Sequence, residues 1–336
     1  VEAGIPVLLW GPPGVGKTAF LRALAAERGS HMETLIGSTL DPTDVSGLPI
    51  PEGGRVRLAP PAWAERLKKV LESGREAWLF FDELSCAPPS VQAAFLRLTH
   101  ERCVGELELP GLKVVAASNP AETAADGGDL SPATSNRWAH FQFALSVEEY
   151  FVGEISGWGS ARTAEHARAS SSICSFLRRN PKALLDLPKN FHSGAWPSPR
   201  SWSMAAKLLG TDSVEKLCEG ETLVAACVGE PAAREWSEFD SSLSLPDPEK
   251  VLSGEVKLPT RGDEMYACLL AIAGAALSKN EKFDERIRKF WTILGAVRTD
   301  LALQAAKILL AGAPHITPPE SLKIGKKIIA VSGGAQ

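Results

Sequence analysis

The 336-residue chain has no C-x-x-C pair, and no cysteine stands at zinc-finger spacing from a histidine. Its six cysteines (Cys86, Cys103, Cys174, Cys218, Cys227, Cys268) are scattered, which leaves them as reduced, small apolar residues of a cytosolic protein. The six histidines (His31, His100, His140, His166, His192, His315) show no H-E-x-x-H or other metal spacing, and read as surface or structural residues. There is no Lys/Arg run, and the formal net charge is −4. Nucleic-acid binding rests on neutralising phosphates, so this balance disfavours a nucleic-acid partner. The longest apolar run, YACLLAIAGAAL from Tyr266, falls short of the ~20 residues of a membrane span and suits a buried helix. No signal peptide is visible in a sequence that opens on Val1, and the expected location is cytoplasmic. Internal repeats and low-complexity tracts are absent as well.

What is present begins with length, which allows two or three domains, each with its own core. Short apolar runs fill the first half: IPVLLW from Ile5, METLIG from Met32, EAWLFFDE from Glu76, KVVAASN from Lys113 and HFQFAL from His140. Amphipathic segments separate them, the first a predicted helix over Thr18 to Arg28. Continuous apolar strands alternating with helices predict an α/β fold whose parallel sheet is covered on both faces. After about Val147 no strong strand pattern remains. Helices are predicted from Ile173, Arg200 and Ser213, then over Asp263 to Lys279, Asp284 to Val297 and Asp300 to Ala311. The stretch SSLSLPDPEK from Ser241 reads as a linker or an ordered turn.

GPPGVGKT matches the phosphate-loop pattern G-x-x-x-x-G-K-[ST] at Gly11, Gly16, Lys17 and Thr18. Glycines let such a loop close tightly on phosphate oxygens with backbone N–H groups turned inward. A helix starting near Lys17 adds its N-terminal partial positive charge. Chance alone gives the pattern in about one chain in a hundred of this length. Here a predicted strand ends just before Gly11 and a predicted helix begins just after Gly16, as the motif requires. The candidate nucleotide-binding residues are therefore Gly11, Pro12, Pro13, Gly14, Val15, Gly16, Lys17, Thr18 and Ala19. Lys17 is expected to reach the terminal phosphates, and the Thr18 hydroxyl to ligate Mg²⁺.

A phosphate loop alone serves kinases, switches and motors alike. WLFFDE narrows the choice by putting Asp82 and Glu83 at the C-terminal end of an apolar strand, where open α/β sheets bind ligands. Asp82 can hold Mg²⁺ through water, and Glu83 is left to activate a water aimed at the γ-phosphate. A solvated acidic pair at a strand end is the plainer alternative. Asn119 closes KVVAASN, where a polar side chain between that water and the γ-phosphate could report the nucleotide state. It is also an ordinary residue for the turn before Pro120.

With these residues in place the sequence resembles an AAA+ ATPase, and within that class the MoxR family and its dynein-related neighbours. The resemblance rests on GPPGVGKT, LFFDEL, VVAASNP, LSPATSNRW and PSPRSW in the family's order, over roughly residues 1 to 215. DPTDVSGLP (Asp41 to Pro49), APPSVQAAFLRLTHERCVGE (Ala87 to Glu106) and PSPRSW carry the sub-family signal. It implies an ATPase core over 1–146, a helical lid over 147–240 and a helical C-terminal region over 241–336. It also implies ring assembly, usually as hexamers, with ATP and Mg²⁺ between subunits. Arg137 of SNRW aligns with the arginine finger that reaches a neighbour's γ-phosphate, although the family more often has Asp where this chain has Asn136. A surface salt bridge is the alternative for Arg137. Arg200 aligns with the second sensor on the lid, its alternative being a helix-surface arginine. A helix is expected from Pro88, followed by a hairpin over RCVGELELPG. That hairpin, and a loop at DPTDVSGLP, are candidates for substrate contact near a ring axis, or else structural insertions.

The implied function is a ring-forming ATPase that remodels a protein client as a MoxR-like chaperone, often beside a von Willebrand factor A-domain partner. Two alternatives belong to other classes: a nucleic-acid-acting or GTP-using McrB-like motor, and a nucleotide-binding switch with little turnover.

Overall fold

The computed structural model describes residues 2–123, 129–156, 158, 163–188, 194–211, 219–278 and 282–316. Cys218, His192 and the predicted helix start at Ser213 lie outside these residues. Internal contacts divide the chain into two units, 1–144 and 145–336.

The first unit is built on a five-stranded sheet of β1 (Val7–Trp10), β2 (His31–Ile36), β5 (Ala77–Asp82), β8 (Lys113–Ser118) and β9 (Ala139–Gln142), in the order β2-β5-β8-β1-β9. Every pairing in it is parallel. Such a sheet needs cover on both faces, and the side chains alternate accordingly. Leu9, Trp78, Phe80, Val115 and Ala117 meet Leu21 and Ala25 of α1 (Lys17–Glu27) on one face. On the other, Leu8, Leu79, Phe81, Val114 and Ala116 meet Trp63 and Leu67 of α3 (Ala62–Glu72) and Val91 and Phe95 of α4 (Pro89–Glu101). The five strands and α1 fall where the apolar runs predict them. The last is shorter than HFQFAL implies, because the strand ends at Gln142.

Two small ribbons are added to this sheet. DPTDVSGLP is not a loop: Asp41 caps the short helix α2 (Pro42–Ser46) through a reciprocal capping box with Asp44, and Leu48 opens β3 (Leu48–Glu52). β3 pairs antiparallel with β4 (Arg55–Ala59). The expected hairpin after α4 is present as β6 (Cys103–Val104) and β7 (Leu107–Glu108). Arg102 sets its base, donating to the carbonyls of Leu98, Leu112 and Gly4 from a left-handed backbone at φ 56°.

All the secondary structure of the second unit, among the described residues, is helical. It includes α6 (Val147–Ser156), α7 (Ala164–Arg179) and α8 (Pro199–Leu209), followed by helices over Gly220–Val228, Glu230–Ser241, Pro248–Ser253, Gly262–Leu277, Phe283–Ala296 and Thr299–Gly312. The last three residues of the Ser/Pro/Asp stretch, predicted as a linker or an ordered turn, open the helix Pro248–Ser253, started by Asp247, whose side chain accepts from the Glu249 N–H. One apolar core runs through this unit from Tyr150 to Ile316, with Trp202 and Trp291 among its buried side chains. The helix Gly262–Leu277, which holds the longest apolar run, is buried along nearly its whole length. No described helix is long and apolar enough to cross a membrane.

Candidate active site

Strands β1, β5 and β8 all end at the same edge of the sheet, because Trp10 pairs with Ser118 and Phe81 with Ala116. The chain segments that leave this edge carry the phosphate loop, the Asp82–Glu83 pair and Asn119. The sheet's parallel register therefore gathers residues that lie far apart in sequence.

The loop from Gly11 to Gly16 depends on its glycines in three ways. Gly14 and Gly16 have left-handed φ values of 79° and 98°. A Cβ on Gly11 would lie 2.6 Å from the carbonyl of Phe143. Only residues without a Cβ fit these positions easily. Val15 anchors the loop in the interior, while Pro12 and Pro13 are half-buried. α1 then starts with no side-chain cap and no acidic residue in its first turn. A helix N-terminus without a protein cap offers its N–H groups and partial positive charge to an anion. Ala19 is exposed on that first turn.

Lys17 is 8% exposed. Its Nζ donates to the carbonyls of Gly11 at 2.6 Å and Pro12 at 3.0 Å, and to Asn119 Oδ1 at 2.9 Å. A buried ammonium needs oxygen partners of this kind. The same three N–H groups are the ones a phosphate oxygen would take over. The Thr18 hydroxyl, instead of capping its helix, donates to Asp82 Oδ2 at 2.7 Å. A hydroxyl and a carboxylate side by side form a hard-oxygen pair suited to Mg²⁺. Consecutive residues Lys17 and Thr18 thus reach the ends of two different strands, Lys17 to Asn119 and Thr18 to Asp82.

Glu83 takes an unusual backbone for a non-glycine residue, with φ 56°. Two features hold it there: Cys86 donates its N–H to the Glu83 carbonyl at 2.9 Å, and Gly37 packs so closely that a Cβ would lie 2.5 Å from that oxygen. A left-handed residue directly after a strand turns its side chain off the line of the sheet. Its carboxylate is exposed and accepts from the Ser38 hydroxyl at 3.0 Å. Sequence reasoning missed Ser38. Its partner lies across the β2–β5 pairing, where Ile36 is in register with Asp82, and no local motif marks it. Ser118 was missed too: its buried hydroxyl accepts from the Ser85 N–H at 3.0 Å and ties the end of β8 to the segment after Glu83.

Arg137 and Arg200 make none of the hydrogen bonds described above. Arg137 is exposed in the turn after α5 (Pro132–Ser135), with Nη1 donating to the Ala133 carbonyl at 2.6 Å. Arg200 is exposed in the first turn of α8, which Ser198 starts with a reciprocal capping box to Ser201. Buried Pro199 and Trp202 flank it, and Trp202 donates to the Ala183 carbonyl at 2.7 Å. The helix dipole disfavours a cation in that position by roughly 0.3–1 kcal/mol. Arg200 is thus displayed at a place where helix stability alone would not put it.

Residues 6–138 match the family model of the AAA domain, dynein-related subfamily. The match runs from just before β1 to just past Arg137. Among solved structures the chain is similar to a point mutant of Thermotoga maritima RuvB, at 16% identity over 87% of this chain and 81% of that one, with a TM-score of 0.37. So loose a likeness carries no argument about activity.

Proposed function

We propose that the protein is a ring-forming Mg²⁺-dependent ATPase that cuts ATP between adjacent subunits and uses the energy to remodel or mature a protein partner, as MoxR-like chaperones do. The observation that carries this reading is the contact set Lys17–Asn119 and Thr18–Asp82 at the mouth of an uncapped helix, with Glu83 turned out beside it. In that site the loop N–H groups and Lys17 bind the phosphates. Thr18 and Asp82 would hold Mg²⁺, which supplies charge neutralisation to the phosphates when bound. Glu83 accepts a proton from the attacking water, a role that needs a carboxylate outside the binding set. Asn119, already bonded to Lys17, is placed to respond when that lysine changes partner. A second carboxylate of this kind favours turnover over a static switch.

Arg137 completes the site from the neighbouring subunit and stabilises charge in the transition state. Its exposure, and its attachment only to its own short helix among the contacts described, support a role outside its own subunit. Arg200 senses the γ-phosphate from the lid, residues 147–240 in this reading. The client is a protein, with a von Willebrand factor A-domain partner as the first candidate.

Sedimentation of Glu83→Gln with ATP and Mg²⁺ tests the assembly. We expect a ring of about six subunits that retains its nucleotide and its client, while Arg137→Ala subunits bind ATP normally but turn over about 10³-fold more slowly. A protein that stays single at saturating ATP and releases no phosphate, even with its natural partners supplied, would sink the reading.

A further inference from the structure

His140 lies exposed on the edge strand β9, opposite Leu8 of β1. Its ring stacks on Trp10 at 6.0 Å and 12° between planes, and its Nδ1 is 2.7 Å from the Trp10 indole nitrogen. An indole nitrogen only donates, so Nδ1 is the acceptor, and the imidazole proton sits on Nε2. From there it donates to the Ser135 carbonyl at 2.9 Å. Both nitrogens are therefore assigned, and they bridge the end of β1 to the last residue of α5.

Those two ends are not arbitrary. Trp10 directly precedes Gly11, and its own carbonyl accepts from the Phe143 N–H at 2.6 Å. Ser135 lies two positions before Arg137 in a turn of closely spaced bonds. Ser131 caps the turn's start by accepting from Thr134, and the carbonyls of Ala133 and Thr134 take the guanidinium and the backbone N–H of Arg137. Ser131 fixes the turn's beginning, and His140 fixes its end.

We propose that His140 is a positioning residue: its neutral imidazole, anchored by Trp10 at the root of the phosphate loop, sets the turn that presents Arg137 to the nucleotide of the neighbouring subunit. The inference rests on the trans role of Arg137 proposed above. It adds that the loop holding one nucleotide and the arginine serving the next are joined by two hydrogen bonds through a single side chain.

Mixed assemblies separate this role from plain support of the fold. Subunits carrying Lys17→Ala keep the finger and lose the cradle, and subunits carrying Arg137→Ala keep the cradle and lose the finger. Mixing them with ATP and Mg²⁺ should restore phosphate release. His140→Phe retains an aromatic ring and removes both hydrogen bonds. Placed on the finger-bearing Lys17→Ala subunit, it should lower the restored rate by roughly two- to tenfold, the range that loss of such a bond gives. Placed on the cradle-bearing subunit, it should lower it less. His140→Gln, which keeps one acceptor and one donor, should recover part of the loss. Trp10→Phe read in the same mixtures covers the case in which His140→Phe does not fold. Equal losses on either subunit, or none on the finger-bearing one, would overturn the proposal. A parent mixture with no restored turnover would instead remove the trans arginine on which it stands.

Discussion

Three carboxylates lie at the two ends of β5, Glu76 at one and Asp82 and Glu83 at the other. At the amino-terminal edge of the sheet Glu76 accepts from Ser30 at 2.6 Å, Trp78 at 2.6 Å and Arg28 at 3.1 Å, and is paired with Lys113. Burial pushes its carboxyl up, but the bonds from Lys113, Ser30, Arg28 and Trp78 outweigh this and hold it well below the usual carboxylate range. At the carboxy-terminal edge, Asp82 receives a hydroxyl from Thr18, and Glu83 a hydroxyl from Ser38. The first arrangement gives its acid four protein donors, two of them charged. The second holds its acids with neutral donors alone, the Thr18 hydroxyl and the Glu83 N–H on Asp82 and the Ser38 hydroxyl on Glu83, which a metal ion or a water can replace more easily than an ammonium or a guanidinium. In the proposed reading, strand ends of the same sheet therefore serve stability at one edge and chemistry at the other.

Substitutions can break or sharpen this contrast. Lys17→Ala should abolish ATP binding, read by calorimetric titration, because it removes the ammonium that meets the phosphates. Glu83→Gln should keep ATP affinity and lower phosphate release by about 10²–10⁴-fold, the usual contribution of a positioned base. At the other edge Glu76→Gln should leave turnover per folded ring unchanged and cost about 2 kcal/mol of stability at neutral pH, since it loses charge-assisted bonds. That loss has a defined pH dependence. A carboxyl depressed in the folded state stabilises fully above its unfolded value of 4.5, and the benefit fades as pH falls below that. The gap in melting temperature between wild type and Glu76→Gln should accordingly be largest near pH 7 and shrink under acid. Ser38→Ala should have the smallest effect, a loss of about two- to fivefold in turnover with unchanged affinity, as Glu83 gains rotamers.

The parallel sheet was legible because its strands are short continuous apolar runs. The phosphate loop was legible because glycine, lysine and threonine must stand at fixed spacing. The β3–β4 ribbon was not. Pro49 and Pro51 argue against a strand, yet they occupy alternate positions, compatible with a two-stranded ribbon where one set of N–H groups faces away from the partner. Its residues are also mostly exposed, so no apolar alternation marks them. Ser38 escaped because its contact with Glu83 exists only once β2 and β5 are in register. His140 was read as structural, and only the folded strand reveals that its two nitrogens face Trp10 and Ser135.

Phosphate release at saturating ATP and Mg²⁺, measured for wild type and Glu83→Gln alongside nucleotide binding, tests the central claim most directly. The account predicts equal binding by the two proteins and phosphate release by wild type alone. Equal release from both, or no binding by either, would contradict it.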